Sequence, residues 1–462
     1  MTTRAASGVA PVSTAPAASP DARSMTAMPG RPAAPGIPAG GGLTPAPGAS
    51  LRLPGEHFAA ALGFLVLGMV GVVWVASPLA QGIYLSPHVA GVTHLFTLGW
   101  LTTTIFGATY QLLPVALGAP VHSERMGHAS FAAFVPGVVL FALGVMRSAS
   151  ALRNVGIALL ATGIVLLVTN VALSLPKATR RDVTWGAMGI AVAFLSLTLV
   201  LGALLAHNLS TGVLGGARLH VLATHLHVAL LGWVFVMIVG MSHRLLPMFL
   251  VAHGADTRWT RRSLALLVPG VLMLAAGLAS SVGVLDWLGF ACVEGGVACF
   301  LIQARSFFRS RVRRRLDAGL THAAAALGVL GVTALLAPVV LALGFGHRRL
   351  DTIYIALGVL GALAPYVMGL FYKIVPFLAW ITRFRSRMGR GRVPTVAQLY
   401  SARVAFVELG LYGSGLAALV TGIAAAQPMM VRAGGALLLA AVLLFAGQMM
   451  HAAWGTPREA RS

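Results

Sequence analysis

Imidazole ligates haem iron and copper and changes its charge near neutral pH. The chain has 14 histidines. Five fall in two short stretches, His88 and His94, then His220, His225 and His227. His94 and His227 each open a copy of one motif, HLFTLGWLTTTIFGATYQLLP and HVALLGWVFVMIVGMSHRLLP. A third copy, ALGVLGALAPYVMGLFYKIVP, opens with Ala356. Gly99, Gly232 and Gly361 coincide, as do Gly107, Gly240 and Gly369, and Pro114, Pro247 and Pro376. Trp100 matches Trp233, and Tyr110 matches Tyr372. One position is therefore histidine twice and alanine once.

A neutral imidazole keeps one nitrogen lone pair for a metal, and protonation competes with that use. His220 and His227 share a helix face, whereas His225 points about 140° from His220. One helix therefore offers one or two of these three to any single centre. The candidates are His88 and His94 for a cofactor, and His220, His225 and His227 for a metal ion. A plainer reading stays open for each: a histidine inside a membrane also serves to bond a neighbouring helix. His207 and His347 read as interface residues, and His243 and His322 as structural ones.

The motifs must be held by helices. The chain of 462 residues is 58% hydrophobic and 10% charged, against about 25% charged in soluble domains. Apolar runs of roughly 20 residues identify an all-α polytopic membrane protein. The runs give about twelve spans, near 57–80, 88–117, 127–146, 151–175, 184–206, 219–250, 262–282, 284–304, 320–345, 351–380, 402–426 and 431–454. The motif recurs at intervals of 133 and 129 residues (Gly107 to Gly240 to Gly369), enough for four helices per unit.

The net charge of +22 first suggests nucleic acid, but its placement argues against that partner. Basic residues crowd alternate loops, around Arg180, Arg261, Arg313 and Arg387, and thin out in the loops between. This is the positive-inside pattern of a protein in a lipid bilayer, with both termini cytoplasmic in a bacterial-type inner membrane. His94 and His227 then lie on the order of 10 Å below the outer surface. Residues 1–55, rich in Ala, Pro, Gly, Ser and Thr, read as a disordered cytoplasmic tail too polar for a cleaved signal peptide. Residues 56–456 form the membrane domain and 457–462 a short cytoplasmic end. Cys292 and Cys299 stand roughly 10 Å apart along one helix and cannot bridge each other.

At the level of motif, span two is similar to subunit I of the haem–copper oxidase superfamily, and most to its nitric oxide reductase branch. The resemblance rests on His94-Leu-Phe-Thr-Leu, on Phe106-Gly107-Ala108-Thr109-Tyr110-Gln111-Leu112-Leu113-Pro114, and on Gly118-Ala119-Pro120. It implies three pseudo-symmetric four-helix arcs, in which spans two, six and ten are equivalent. It further implies haem on His94 and copper near His225 or His227. An electron-donor protein or second subunit would follow, with a role in electron transfer or in handling nitric oxide or dioxygen. Three family features are absent from the sequence: the two span-ten histidines, the paired histidines at the start of span seven, and the tyrosine or glutamate after the span-six histidine. A complete oxygen-reducing centre does not follow, so an oxidoreductase activity is left open. The alternative is a non-redox transporter or metal- or haem-handling protein on the same scaffold.

The other polar residues in the spans carry weaker expectations. Glu294 and Glu408 must be neutral or partnered inside the bilayer; two readings stay open, proton conduction, or a structural role paired with Arg403 or a helix hydroxyl. Arg244 and Lys373 read as snorkelling toward headgroups. Pro114, Pro247 and Pro376 read as breaks or kinks at the inner helix ends.

Overall fold

In the computed structural model, residues 51–252, 256–280, 282–343, 347–388, 390 and 392–456 are described. Among them, twelve helices are long and apolar enough to cross a membrane. They are α1 Arg52–Trp74, α2 Pro87–Ala116, α3 Glu124–Met146, α4 Ser150–Lys177, α5 Val183–Thr211 and α6 Gly215–Leu250. Then come α7 Arg258–Ser280, α8 Gly283–Arg309, α9 Ala318–Leu343, α10 Arg348–Arg387, α11 Ala402–Ala424 and α12 Pro428–Trp454. No strand occurs among the described residues. The first helix begins at Arg52, inside the stretch expected as tail, and Glu56 lies 2.6 Å from His128 Nδ1 of α3. The expected tail residues 1–50, the end at 457–462 and His253 lie outside the described residues.

The motif helices are the centre of the bundle. The most apolar windows of α2, α6 and α10 are 67%, 56% and 67% buried, against 50% or less for every other span. They meet through specific contacts. Trp233 Nε1 donates to Thr102 Oγ1 at 3.0 Å, joining α6 to α2. The Trp100 and Phe371 rings, 4.9 Å apart, join α2 to α10. Ser242 and the Tyr366 hydroxyl, at 2.6 Å, join α6 to α10.

Around that centre the same contacts recur in each third of the chain. Helices α3, α7 and α11 each form a tight hairpin with the next helix. A Cβ added at Gly137 would stand 2.8 Å from the Leu160 nitrogen, at Gly270 2.9 Å from Val293 N, and at Gly415 2.9 Å from Leu438 N. Helices in a bilayer gain from such close packing, because lipid offers no hydrophobic drive between them. A carboxamide near the end of each hairpin ties down the start of its first helix. Asn170 bonds the backbone of Ser123 at 3.1 and 2.8 Å. Gln303 bonds Thr260 N at 3.1 Å and Asp256 O at 2.7 Å. Gln448 bonds Ser401 N and O at 3.3 and 2.6 Å. The amide groups left open at a helix start are thus satisfied by a neighbour.

The shared prolines lie inside the helices, close to the inner ends of α2 and α6 and farther from that of α10. Helical structure runs on to Ala116, Leu250 and Phe384, past Pro114, Pro247 and Pro376. The departure from α geometry lies earlier, in three π-helical stretches, Leu95–Thr102, Val228–Phe235 and Leu357–Leu363. Each follows directly on the His94, His227 or Ala356 position. Each stretch also carries a close contact with a neighbouring helix. Phe64, Phe194 and Val329 press against Gly99, Gly232 and Gly361, where an added Cβ would come within 2.6 Å of each side chain. In the first stretch the Thr103 hydroxyl also bonds the Leu98 carbonyl five residues back, at 3.0 Å, the spacing of a π-turn.

Candidate functional site

His94 and His227 end the short α-helical segments Pro87–His94 and Arg218–His227, immediately before the π-turns. Both rings are fixed in the same way. His94 Nδ1 lies 2.7 Å from the Ala90 carbonyl, and His227 Nδ1 lies 2.8 Å from the Ala223 carbonyl. A carbonyl only accepts, so each Nδ1 carries the hydrogen and donates it. Nε2 is left with the lone pair, the tautomer that suits a metal ligand held by an outer hydrogen bond. Phe141 packs edge-on to the His94 ring at 5.0 Å.

Both histidines line one cavity of about 730 Å³, within the range of cofactor and small-ligand sites. Its wall is mostly aliphatic, and His225, Arg218, Arg348 and Asp351 also reach it. His94 and His225 stand within electrostatic range of each other. His225 packs against Gly202, where a Cβ would stand 3.0 Å from its Cε1, and its buried Nδ1 has no partner among the described residues. Arg218 and Arg348 open α6 and α10, so two cations mark the end of the cavity farthest from the Arg-rich loops. There the Tyr84 hydroxyl donates to Asp351 at 3.3 Å. Burial and then the Asp351 charge push that phenol above its ordinary range.

Three of the five candidate histidines therefore share a cavity and two stand apart from it. His88 is exposed, edge-on to Trp74 at 4.9 Å. His220 lies outside the cavity wall, within electrostatic range of Asp286. No group of three or more His, Cys, Asp or Glu stands close enough to hold a metal ion among the described residues. Ala356 of the third unit lines the same cavity and brings no donor. Cys292 and Cys299 are both free thiols, as their spacing requires.

A second group of polar residues sits toward the Arg-rich face. Of the two partners expected for Glu408, the helix hydroxyl is the one found: Oε2 accepts from the Tyr372 hydroxyl of α10 at 3.2 Å, and it also lies 2.7 Å from His322 Nε2. Arg244 and Lys373 do not snorkel freely but form ion pairs with Asp182 and Asp317. Asp317 directly precedes α9, which carries His322, and α5 carries Thr184 at the slot of Gly319, its hydroxyl donating to the Gly240 carbonyl at 2.8 Å. A longer repeat register holds the missed signal: Ser130, Ser263 and Glu408 lie 133 and 145 residues apart, matching the spacing of Gly137, Gly270 and Gly415.

No protein-family model matches this sequence, and no curated protein matches it.

Proposed function

We propose that the chain is an integral-membrane haem protein, a divergent relative of haem–copper oxidase subunit I with its three four-helix units set as arcs about a pseudo-threefold axis. One observation carries the reading: His94 and His227, at equivalent positions, each present a lone-pair Nε2 on a single largely apolar cavity. These residues fit haem. His94, alone or paired with His227, would hold the iron, and the Arg218 and Arg348 guanidiniums would meet porphyrin carboxylates. Bound there, haem supplies one-electron transfer or a site for nitric oxide or dioxygen. The protein's own part is to fix both tautomers through backbone carbonyls, to exclude water with aliphatic walls, and to balance the anionic edge of the group.

The copper expectation does not fit equally well. His225 and His227 belong to no group of three or more His, Cys, Asp or Glu close enough to hold a metal ion among the described residues, so the residues present do not make a copper site. Helix α10 has no histidine, so any iron ligation differs from the family's pairing of spans two and ten. The Arg-rich face is the cytoplasmic side of a bacterial-type inner membrane in this reading. A donor protein or second subunit would deliver electrons.

Purification from the native membrane, with a visible spectrum and pyridine–haem analysis, tests the reading. Wild type should carry haem, and the His94→Ala/His227→Ala double variant should fold without it. Folded wild type free of haem, or a double variant with full haem content, would overturn the assignment in favour of a transporter or scaffold. Orientation is checked separately by labelling a Val312→Cys variant, which should react only from the cytoplasmic side.

A further inference from the structure

The contacts of His322, Glu408 and Tyr372 have a stoichiometry. His322 Nδ1 lies 2.7 Å from the Ala318 carbonyl, an acceptor, so Nδ1 carries a hydrogen. Nε2 and Glu408 Oε2 are 2.7 Å apart, a separation that needs a hydrogen between them. The Tyr372 hydroxyl supplies its own hydrogen to Oε2 at 3.2 Å. One proton therefore belongs to the imidazole–carboxylate pair, and written on either atom it leaves the pair neutral. Side-chain exposures of 1% and 0% make that neutrality important. A second proton would leave a buried cation, and its loss would leave a buried anion with two lone pairs face to face. Either state costs several kcal/mol.

The equivalent slots elsewhere do not share this property. Ser130 donates to the Gly163 carbonyl at 2.7 Å, and Ser263 to the Gly296 carbonyl at 2.8 Å. Those serines only tie two helices together. In the third unit a longer, ionisable side chain turns away from its hairpin partner to meet α9, and its other oxygen, Oε1, is buried with no hydrogen-bond partner among the described residues.

The titratable surroundings lead one way. Asp317 lies just before α9, α9 brings His322, α10 brings Tyr372 and Lys373, and α11 brings Tyr412, whose hydroxyl donates to the Leu360 carbonyl at 2.7 Å. The segment before α11 brings Tyr400, its ring 5.2 Å from that of Tyr372. Burial and then the Asp317 charge push the Tyr400 phenol up to about 12, so it stays a neutral donor. Asp317 and its partner Lys373 are partly exposed. Two phenols thus stand beside the buried pair, Tyr372 bonded to it and Tyr400 in ring contact with Tyr372.

We propose that His322, Glu408 and Tyr372 form a proton-binding site that holds one exchangeable proton and trades it with water at the Arg-rich face by way of Tyr372 and Tyr400. Exchange brings one proton in as one leaves, so the charge of the site does not change. The site stands independently of any haem in the cavity.

Infrared difference spectra of the full chain in lipid nanodiscs test this. Wild type minus Glu408→Gln should show a carboxyl or carboxylate–imidazolium feature that shifts on transfer to heavy water and is altered in His322→Gln. Tyr372→Phe should retain the feature but slow its isotope exchange by about tenfold or more, while the most protected backbone amides exchange as in wild type. If Glu408→Gln fails to fold, Glu408→Ser, which restores the residue of the other two units, takes its place. Absence of a Glu408-dependent, deuterium-sensitive feature would overturn the proposal. So would exchange that is as slow as the most protected amides and indifferent to Tyr372→Phe.

Discussion

The first and third units make an instructive pair. Away from the Arg-rich face, the first has His94 facing the cavity and the third has Ala356 there. Toward that face the balance reverses. The first unit has His57 at the slot of His322, with the same bond back to a carbonyl, Leu53 O at 2.7 Å. Tyr110 sits at the slot of Tyr372, and its ring is 5.6 Å from His57. Yet Ser130 stands where the third unit has Glu408, and His57 Nε2 has no hydrogen-bond partner among the described residues. One scaffold therefore carries an imidazole site at one end of the first unit and a closed acid–imidazole–phenol site at the opposite end of the third. The helix contacts repeat while the chemistry does not, so the packing is what the scaffold keeps and the polar slots are what it varies.

The sharpest way to break this contrast is at the cavity. His94→Ala should abolish or strongly alter the haem spectrum, an all-or-none change. Ala356→His should add a fourth imidazole to the same wall and shift the spectrum without loss of haem. An unchanged spectrum in both variants would mean that the repeated position has no part in binding.

Next in size is the asymmetry between the two buried histidines. His322→Ala strands Glu408 and should cost about 3–5 kcal/mol, the usual effect of removing one partner of a buried pair. His57→Ala removes one hydrogen bond and should cost about 1–2 kcal/mol. Adding Glu408→Ser to His322→Ala should recover more than half of the larger loss. Thermal unfolding in one detergent compares all three, and equal losses for His57→Ala and His322→Ala would erase the distinction.

Smaller effects probe what the units share. Gly415→Val should destabilise by about 1–3 kcal/mol through overpacking against α12, and Gly270→Val against α8 should match it if the hairpins are equivalent. Smallest of all, Arg244→Ala and Lys373→Ala should each cost about 1 kcal/mol or less, since both ion pairs are partly exposed. High salt should reduce these two costs and leave the glycine effects untouched.

The sequence made some of this visible and hid the rest for physical reasons. Apolar run length is a direct consequence of bilayer thickness, so the spans were legible to within a few residues at most ends, and the shared glycines and prolines marked α2, α6 and α10 as equivalents. Partners across helices were not legible. Glu408 meets a histidine 86 residues away, and hydropathy says nothing about which helices touch. Extending the repeat to the hairpins would have set Glu408 against Ser130 and Ser263, and Asp182 against Asp317, which points to Arg244 and Lys373 as their partners. The π-turns were hidden more deeply. No residue type in Leu95–Thr102 marks five-residue bonding, and the shared prolines Pro114, Pro247 and Pro376, the most visible helix signal in the motif, lie outside all three stretches.

Each π-turn also sets a phase. It holds one residue more than the α-helical path needs, and a residue in an α-helix is worth about 100° of rotation. Removing one residue from Leu95–Thr102 would let the helix close up, but it would swing the segment bearing His94 around relative to the half that carries Tyr110. The two halves of α2 could not then both face their present neighbours. The extra residue therefore acts as a clutch: the half near the Arg-rich face keeps its packing register while the far half is free to aim a different side chain at the cavity, as His94, His227 and Ala356 do.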